Sequence, residues 1–289
     1  MKTWKTKLAL GLAAIVSAGL MATALPAAAA IDFSYSHVTN SAPITRTYNG
    51  GYVDCPAGKL AVSSGSATSD LRGALLSGSV TTAGTGAFAS ALGVDGGSLE
   101  VRAACVDAAR LRGSTTASFN RRDSRMNHWG QYVDRATCAE GTVAYGGGGN
   151  VVTNGAYDPA GAYTFGTRPE GRSWVYAGSV ALGSRSLLTE AHCLPRTRLG
   201  TIVTVNRSVR GPNSTSRSRV SVGASCPDGY VAFAGGAWFA TIGSDTPVWH
   251  GYLLANMMTT NDRGWVAVGD TFSPNTQLTV RLRCTDRLG

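Results

Sequence analysis

Beyond its first thirty residues, this chain has very little lysine and no long apolar run. Lys59 is the only lysine after Lys7, against 22 arginines, a bias that reflects a GC-rich coding genome more often than a function. No stretch after residue 30 is apolar for long enough to span a bilayer. Segments rich in Leu, Glu and Lys are also missing, and the 37 glycines indicate β structure with many turns.

Motifs for metal binding and phosphate binding are absent as well. The four histidines are His37, His128, His192 and His250, and they show neither H-x-H nor H-E-x-x-H spacing. The chain has no D-x-D-x-D-G calcium loop and no Gly-Lys-Ser/Thr motif at the start of a helix. We therefore predict no cofactor and no metal.

One segment resembles the sequence around the catalytic histidine of trypsin-like proteases. Residues 187–193 read LLTEAHC, with His192 at the place of that histidine. A nucleophile segment such as GDSGG is missing, and the nearest string, residues 269–271, reads GDT and lacks the serine. His192 also falls in register with Ala104 and Arg283, neither of which can act as a catalytic base. We therefore interpret His192 as a strand residue and expect no enzyme.

The first thirty residues have the three parts of a secretory signal peptide. Lys2, Lys5 and Lys7 form a basic region, the apolar stretch LALGLAAIVSAGLMATAL follows, and PAAAA offers small residues for cleavage before Ile31. A membrane anchor is the alternative, but the alanines and the polar residues that follow favour cleavage. Loss of three lysines lowers the formal net charge from +9 to +6. The sequence thus predicts a secreted, extracellular protein.

Six cysteines follow one repeated frame. The segments after Cys55, Cys138 and Cys226 fit C-x-x-G-x-x-A-x-x-(S/G)-G, and a second cysteine follows each of them after 50 to 58 residues. The chain therefore reads as three copies of one unit, and the even number of cysteines in an oxidising compartment indicates disulfides. If each unit closes on itself, the pairs are Cys55–Cys105, Cys138–Cys193 and Cys226–Cys284. A pairing between units, such as Cys105–Cys138, is the alternative.

Each unit contains five or six predicted short strands. Residues 99–105 (LEVRAAC) and 278–284 (LTVRLRC) alternate with period two and place the second cysteine on the buried side. The first cysteine opens a predicted type I turn, in which residues 55–58 place Pro second and Gly fourth. The glycine pairs at 147–148 and 235–236 indicate a bulge or a close approach of backbones.

An aromatic residue is a further shared mark of the units. Trp174 and Trp265 each lie 19 residues before the second cysteine of their unit, and Phe88 lies 17 residues before Cys105. We expect these aromatic residues to begin a hairpin and to lie in the core.

The predicted fold class is all-β, with three homologous, disulfide-stapled antiparallel β units. After the signal peptide at residues 1–30, the units span residues 31–112, 113–199 and 200–289. Two arrangements fit this pattern. Three small sandwiches could follow one another in tandem, which we slightly prefer because each unit has its own disulfide, or three sheets could surround one pseudo-threefold axis as a β-prism-like body.

These motifs resemble a module of secreted actinobacterial proteins that occurs in one or several copies. The resemblance rests on the C-P-x-G-x-x-A-x-x-G-G stretch, the hairpin led by Trp and the strand that ends in Cys, and it covers nearly the whole chain after residue 30. It implies a disulfide-stapled β module without catalytic residues. Ser64 in the first unit and the missing proline in the second unit depart from the pattern, without affecting the predicted fold.

Arginines in two inserted segments are the feature that most suggests a function. The second unit inserts FNRRDSRMNHWGQY and the third inserts NRSVRGPNSTSRSR, each between a Thr-rich strand and the strand before the first cysteine. If these segments share one end of the molecule, they form a basic surface suited to anionic partners. The candidate ligand-binding residues are Arg121, Arg122, Arg125, Trp129, Arg207, Arg210, Arg217 and Arg219. The alternative is that these arginines only keep a secreted protein soluble.

The sequence therefore predicts a secreted, non-enzymatic binding or surface-associated protein. The expected partner is an anionic cell-surface polymer or a carbohydrate, and the compartment argues against nucleic acid. An extracellular hydrolase acting on a polymer and a secreted inhibitor or toxin-like factor are the alternatives. A binding module predicts surface sites on loops, whereas a hydrolase predicts one deep cleft with converging titratable groups.

Overall fold

The computed structural model describes residues 34–44, 48–69, 74–92, 97–122, 131–153, 156–157, 162–180, 185–212 and 215–289. The signal peptide predicted at residues 1–30 lies outside these residues. Apart from short 3-10 helices at residues 108–111 and 196–198, the regular structure of this part of the chain is β-strand. The predicted all-β fold class is confirmed.

Each unit contributes six main strands, which we letter a to f in chain order. Unit 1 holds β1 (Ser36–Ile44), β2 (Tyr48–Asp54), β3 (Lys59–Thr68), β4 (Ala74–Val80), β5 (Gly86–Leu92) and β6 (Gly97–Asp107). Unit 2 holds β7 (Thr115–Arg122), β8 (Gln131–Thr137), β9 (Thr142–Thr153), the additional short β10 (Ala156–Tyr157), β11 (Ala162–Glu170), β12 (Ser173–Val180) and β13 (Arg185–Pro195). Unit 3 holds β14 (Ile202–Arg210), β15 (Ser218–Ser225), β16 (Val231–Thr241), β17 (Gly251–Met258), β18 (Gly264–Thr271) and β19 (Thr276–Thr285).

The strands form three antiparallel sheets, and each sheet combines two units. Sheet I has the order β1-β6-β3-β17-β18-β15, sheet II has the order β2-β5-β4-β9-β13-β7, and sheet III has the order β14-β19-β16-β11-β12-β8. Strands a, f and c of one unit thus continue into strands d, e and b of another unit. The three units are joined in a closed cycle.

Both arrangements left open by the sequence describe part of this fold. Within a unit, the half-sheet of strands a, f and c packs on the half-sheet of strands d, e and b, so each unit is a small sandwich. Each half-sheet also continues into a neighbouring unit. The molecule is therefore the three-sheet, β-prism-like body rather than a row of separate sandwiches. The joining of units also pairs strands c and d, which an isolated sandwich would leave as open edges.

The three disulfides lie within units, as the repeated frame predicted. They are Cys55–Cys105, Cys138–Cys193 and Cys226–Cys284. Each joins the end of strand b to strand f, and therefore ties the two half-sheets of one sandwich together. In every unit the alanine of the frame, on strand c, pairs with the second cysteine, and a bulge follows at the next residue. The bulged residues are Val62, Tyr145 and Phe233.

The turn after the first cysteine begins one residue later than the sequence indicated. The amide of Lys59 donates to the carbonyl of Pro56 at 3.0 Å, and Tyr230 donates to Pro227 in the same way at 3.2 Å. The glycine is therefore the third residue of the turn. Its φ is +80° at Gly58, a conformation that glycine adopts without strain and that a type II turn requires at this place.

Neighbouring strands share the fewest paired positions where strand c of one unit meets strand d of another, a contact that we call the seam. Each seam has only one or two paired positions, such as Gly78 opposite Gly149 in sheet II. The last glycine of the repeated frame, on strand c, lies at each seam, and these glycines are Gly65, Gly148 and Gly236. A Cβ added to any of them would lie only 2.7 to 2.8 Å from a Cα of the facing strand d, those of Met257, Ser79 and Arg168 respectively. The predicted close approach of backbones is confirmed at this glycine.

The preceding glycine in units 2 and 3 makes room for a tryptophan. A Cβ on Gly235 would overlap the indole of Trp265, and a Cβ on Gly147 would overlap the indole of Trp174. Both indoles are almost fully buried, as predicted, and Nε1 of Trp265 donates to Oδ1 of Asn256 at 2.6 Å. The indole ring therefore fits into the core only because the residue packed against it is glycine.

Unit 1 departs from this pairing at both positions. Ser64 replaces the glycine, and the strand register places Ala87 where the other units have tryptophan. Phe88 is one residue away from that position and only partly buried, so it does not replace the indoles in the core. Ser64 can therefore replace the glycine in unit 1, because no tryptophan ring occupies the space beside it.

The turn between strands d and e of each unit lies against strands a and f of a neighbouring unit, a contact that we call a joint, and the side chains differ from one joint to the next. Arg283 on β19 donates to the carbonyls of Ala144, at 3.2 Å, and Gly171, both in unit 2. On β1, Nε2 of His37 bonds to the carboxylate of Asp262 in the turn of unit 3. The third joint contains His192 and is described below.

Replacement of Gly148 by alanine tests the seam. Gly148→Ala should lower the free energy of unfolding by at least about 2 kcal/mol, because the new methyl group would collide with the backbone of β4. Gly223→Ala on the edge strand β15 is the matched control, since the nearest atom to its added Cβ is 3.6 Å away. Denaturant unfolding of the oxidised proteins measures both costs. Equal costs would contradict the seam as a steric constraint.

A double-mutant cycle tests the pairing of Gly235 with Trp265. Gly235→Ser should be strongly destabilising in the natural protein, and Trp265→Ala alone should cost about 3–5 kcal/mol. In the Trp265→Ala background the serine should cost much less, because the atoms nearest to its Cβ all belong to that indole. Strictly additive losses of stability would show that glycine is required here for another reason.

Candidate functional site

One end of the body carries three strand-to-strand connections from each of the three units. Neighbouring strands are antiparallel within every sheet and across every seam, so strands a, c and e of the three units run in one direction. We call the end that carries the a–b, c–d and e–f connections the loop end. The opposite turn end carries the Cys-x-x-Gly turns, the d–e turns and the links between units. The two Arg-rich segments both connect a strand a to a strand b, and the described ends of these strands lie at the loop end.

Four of the predicted ligand-binding residues belong to unit 2. Arg121 and Arg122 end β7, where their backbones lie opposite Leu187 and Ser186 of β13. Arg125 and Trp129 lie outside the described residues.

The other four predicted residues belong to unit 3 and fall into two pairs. Arg207 and Arg210 have exposed side chains on β14, the edge strand of sheet III. Arg217 and Arg219 instead bind the carboxylate of Asp270 on β18, with Nε–O distances of 2.6 and 3.0 Å. The Asp270 side chain is only 3% exposed, whereas those of Arg217 and Arg219 are 55% and 44% exposed. Two guanidinium groups on one buried carboxylate leave a local charge of +1 at the surface.

An aromatic cleft opens at the loop end between units 2 and 3. Its volume is about 310 Å³, and its lining residues are Tyr163, Phe165, Ser179, Trp249, Gly251, Tyr252 and Phe272. By contrast, the cavity at the centre of the body, where the three units meet, has a volume of about 20 Å³, room for a single water molecule. The cleft is therefore the better candidate for a ligand site.

The rim of the cleft exposes large aromatic rings. Tyr163 and Trp249 are each 40% exposed and Phe272 is 37% exposed. The ring of Trp249 lies 6.1 Å from the ring of Phe272 and 5.6 Å from the ring of His250. The amide of Phe272 and the hydroxyl of Thr271 both donate to the carbonyl of His250 at 3.0 Å, which ties this part of the loop to the end of β18. These hydrogen bonds therefore hold together the two segments that carry Trp249 and Phe272.

The basic pair borders the cleft through Tyr252. The guanidinium carbon of Arg217 lies 5.1 Å from the centre of the Tyr252 ring, a cation–π distance. Partial burial raises the pKa of Tyr252, and the positive charge of Arg217 opposes this shift. The phenol is therefore neutral at physiological pH. The cleft combines exposed ring faces, neutral hydroxyl groups and one cationic edge.

Register explains why the two tyrosines meet at this boundary. Tyr163 and Tyr252 hold the same place in their units, two paired positions before the bulge that interrupts strand d. The equivalent residue of unit 1 is Ala74. The boundary between units 2 and 3 therefore brings together two tyrosines, whereas each boundary of unit 1 has an alanine on one side.

His192 lies outside this site, beneath the d–e turn of unit 1. It is 2% exposed, and its ring lies 5.9 Å from that of Tyr145 and bonds to the backbone of Val80. Among the described residues, none gives Nε2 a hydrogen-bond partner. Glu190 on the same strand accepts from the hydroxyl of Thr82 at 3.0 Å. These contacts place His192 in a joint between units.

Other kinds of site find no support in the described part of the chain. No group of three or more His, Cys, Asp or Glu side chains there could hold a metal ion. The helices among the described residues include none long and apolar enough to cross a membrane. The chain matches no protein-family model and no curated protein. Function has therefore to be inferred from the geometry of the loop end.

Sequence reasoning identified the basic residues of this end but missed the aromatic cleft. The cleft is assembled from segments of units 2 and 3 that are far apart in the chain, and no single segment shows more than two of its rings close together. Trp249, beside His250 in the loop between β16 and β17, was the available local signal. Asp270 was also missed, because its role depends on the register of β15 with β18.

The pH dependence of stability tests the buried state of His192. Burial lowers the pKa of His192 to about 4, so between pH 6.5 and 4 the unfolded chain binds a proton that the folded protein excludes. Its contribution to stability is complete above pH 6.5 and is lost as the pH falls towards 4, on the order of 3 kcal/mol in total. His192→Leu should show a correspondingly smaller loss over this range in denaturant titrations. Parallel pH profiles of the two proteins would mean that His192 does not stay neutral in the fold.

Proposed function

We propose that this protein is a secreted, non-enzymatic binding protein that engages an anionic extracellular polymer through its loop end. The observation that carries the proposal is that the strands flanking the Arg-rich segments of units 2 and 3 end on the same side of the body, where Arg217 of unit 3 borders an aromatic cleft. Loops held by a rigid scaffold are a common location for binding residues. The strands, seams and disulfides supply such a scaffold here.

Secretion is supported by two independent features. The first thirty residues have the composition of a signal peptide. Three disulfides close the three units, and structural disulfides persist in oxidising compartments outside the cytosol. The expected partner is therefore a wall polymer or an acidic polysaccharide. The similarity to modules of secreted actinobacterial proteins agrees with this location.

The charge of the loop end favours an anionic partner. Arg207 and Arg210 are exposed on an edge strand, and the cluster of Arg217, Arg219 and Asp270 adds a further net charge of +1. The formal net charge of +6 after residue 30 acts in the same direction. Such charges speed encounter with an anionic polymer, and salt weakens the binding because it screens exposed charges.

Paired charge variants test whether binding belongs to the loop end. Arg207→Gln with Arg210→Gln should lower the salt concentration that elutes residues 31–289 from immobilised alginate or from a teichoic-acid matrix. The fold should be retained, since exposed substitutions cost less than about 0.5 kcal/mol. Arg112→Gln with Arg172→Gln removes the same charge from exposed positions at the turn end and should have a smaller effect.

Two results would contradict the proposal. Equal shifts for the two charge variants would indicate attraction by net charge alone, without a defined surface. No retention of the natural protein at low salt would exclude an anionic polymer as the partner.

A further inference from the structure

We infer that the aromatic cleft binds the sugar ring of a uronic acid, a pyranose that carries a carboxylate, within the polymer engaged by the loop end. This inference rests on the function proposed above and assigns the ligand class of one particular site. It depends on the exposed rings, the concave shape and the charge at the edge of the cleft.

The rings provide the surface on which a sugar ring packs. A pyranose presents C–H groups on at least one face, and these pack against the electron-rich faces of aromatic rings. Tyr163, Trp249 and Phe272 are each about 40% exposed at the rim. Ser179 also lines the cleft, and its hydroxyl is suited to a hydrogen bond with a sugar hydroxyl, whereas the hydroxyl of Tyr252 interacts with the carboxylate of Asp270.

The size and shape of the cleft favour a small ring over a protein surface. Its volume of about 310 Å³ lies at the lower end of the range for small-molecule sites, about 300 to 1,000 Å³. The aromatic residues line a concavity, so a ligand that enters is enclosed by residues of both units. One residue of a polysaccharide chain fits this geometry, with the rest of the polymer running towards the arginines of the loop end.

The charge at the edge of the cleft discriminates between a quaternary ammonium group and a sugar that carries a carboxylate. A cluster of aromatic rings with a free carboxylate would favour a quaternary ammonium group. Here the carboxylate of Asp270 is buried and already pairs with two guanidinium groups, so the edge is positive. A positive edge disfavours a cation and favours a carboxylate.

Arg217 is placed to hold that carboxylate. Its guanidinium lies 5.1 Å from the centre of the Tyr252 ring, which itself lines the cleft. Among the hydrogen bonds of the described residues, Arg217 donates only through Nε, to Asp270. The two terminal amino groups of the half-exposed side chain therefore remain for a carboxylate, which arginine binds with paired hydrogen bonds.

Calorimetric titration with defined oligosaccharides tests the inference. The probes are an oligogalacturonate, the neutral galactose oligomer of equal length, inorganic polyphosphate, and vesicles of anionic phospholipid, each added to residues 31–289 with the disulfides formed. The oligogalacturonate should bind more tightly than the neutral oligomer. Polyphosphate and vesicles should not compete for the cleft.

Three variants separate the contributions of ring and charge. Trp249→Ala should weaken oligogalacturonate binding about tenfold, the effect expected for loss of one packed ring. Arg217→Gln should weaken oligogalacturonate binding about fivefold or more while leaving the neutral oligomer nearly unchanged. Tyr52→Ala is the matched control, because it removes an aromatic side chain that is 45% exposed on β2 of unit 1, and it should have no effect. Thermal unfolding should show that all three variants are folded.

The outcomes distinguish this inference from the function on which it rests. If Trp249→Ala binds oligogalacturonate like the natural protein while the Arg207/Arg210 variant loses polymer retention, the cleft assignment is overturned and the proposed function stands. If the neutral oligomer binds as tightly as the charged one, or if vesicles displace the sugar, the uronic acid assignment is overturned. If the natural protein binds no anionic polymer or oligomer at all, both are overturned.

Discussion

The closed cycle of three units depends on backbone contact at the seams between strands c and d. At each seam a glycine of strand c faces a Cα of the adjoining unit, so that two backbones approach where no side chain fits. Without this approach, strands c and d would end as open edges of separate sandwiches. With it, the half-sheets of different units become continuous sheets, and strands a, c and e of all units point to the same end.

The three units of the cycle resemble one another more closely in their backbone structure than in their side chains. Units 2 and 3 fill their cores with a tryptophan that requires a glycine beneath it, whereas unit 1 has Ala87 and Ser64 at those places. The joints between units differ in the same way, since one contains the neutral, buried His192, another Arg283, and the third a hydrogen bond between His37 and Asp262. Because each of these side chains contacts a different unit, their differences help to specify which half-sheets join.

The candidate site arises from the same asymmetry. Tyr163 and Tyr252 occupy equivalent positions, and the cycle brings them to one boundary, where Trp249 and Phe272 complete the cleft. Asp270 holds two arginines beside it and gives the cleft a positive edge. The scaffold is common to all three units, whereas the aromatic and charged groups of the cleft belong to units 2 and 3.

Features that are local or that repeat along the chain could be predicted from the amino-acid sequence alone. The alternation of residues 99–105 and 278–284 predicted strands, and the cysteine frame predicted the within-unit disulfides, because each copy places its two cysteines alike. Paired glycines predicted close backbone contact but could not identify the partner, since the facing strand belongs to a different unit in every case. The joining of the units in one cycle and the carboxylate shared by Arg217 and Arg219 depend on contacts between distant segments, so they became visible only in the folded chain. The same holds for the aromatic cleft, because its residues become neighbours only when units 2 and 3 meet.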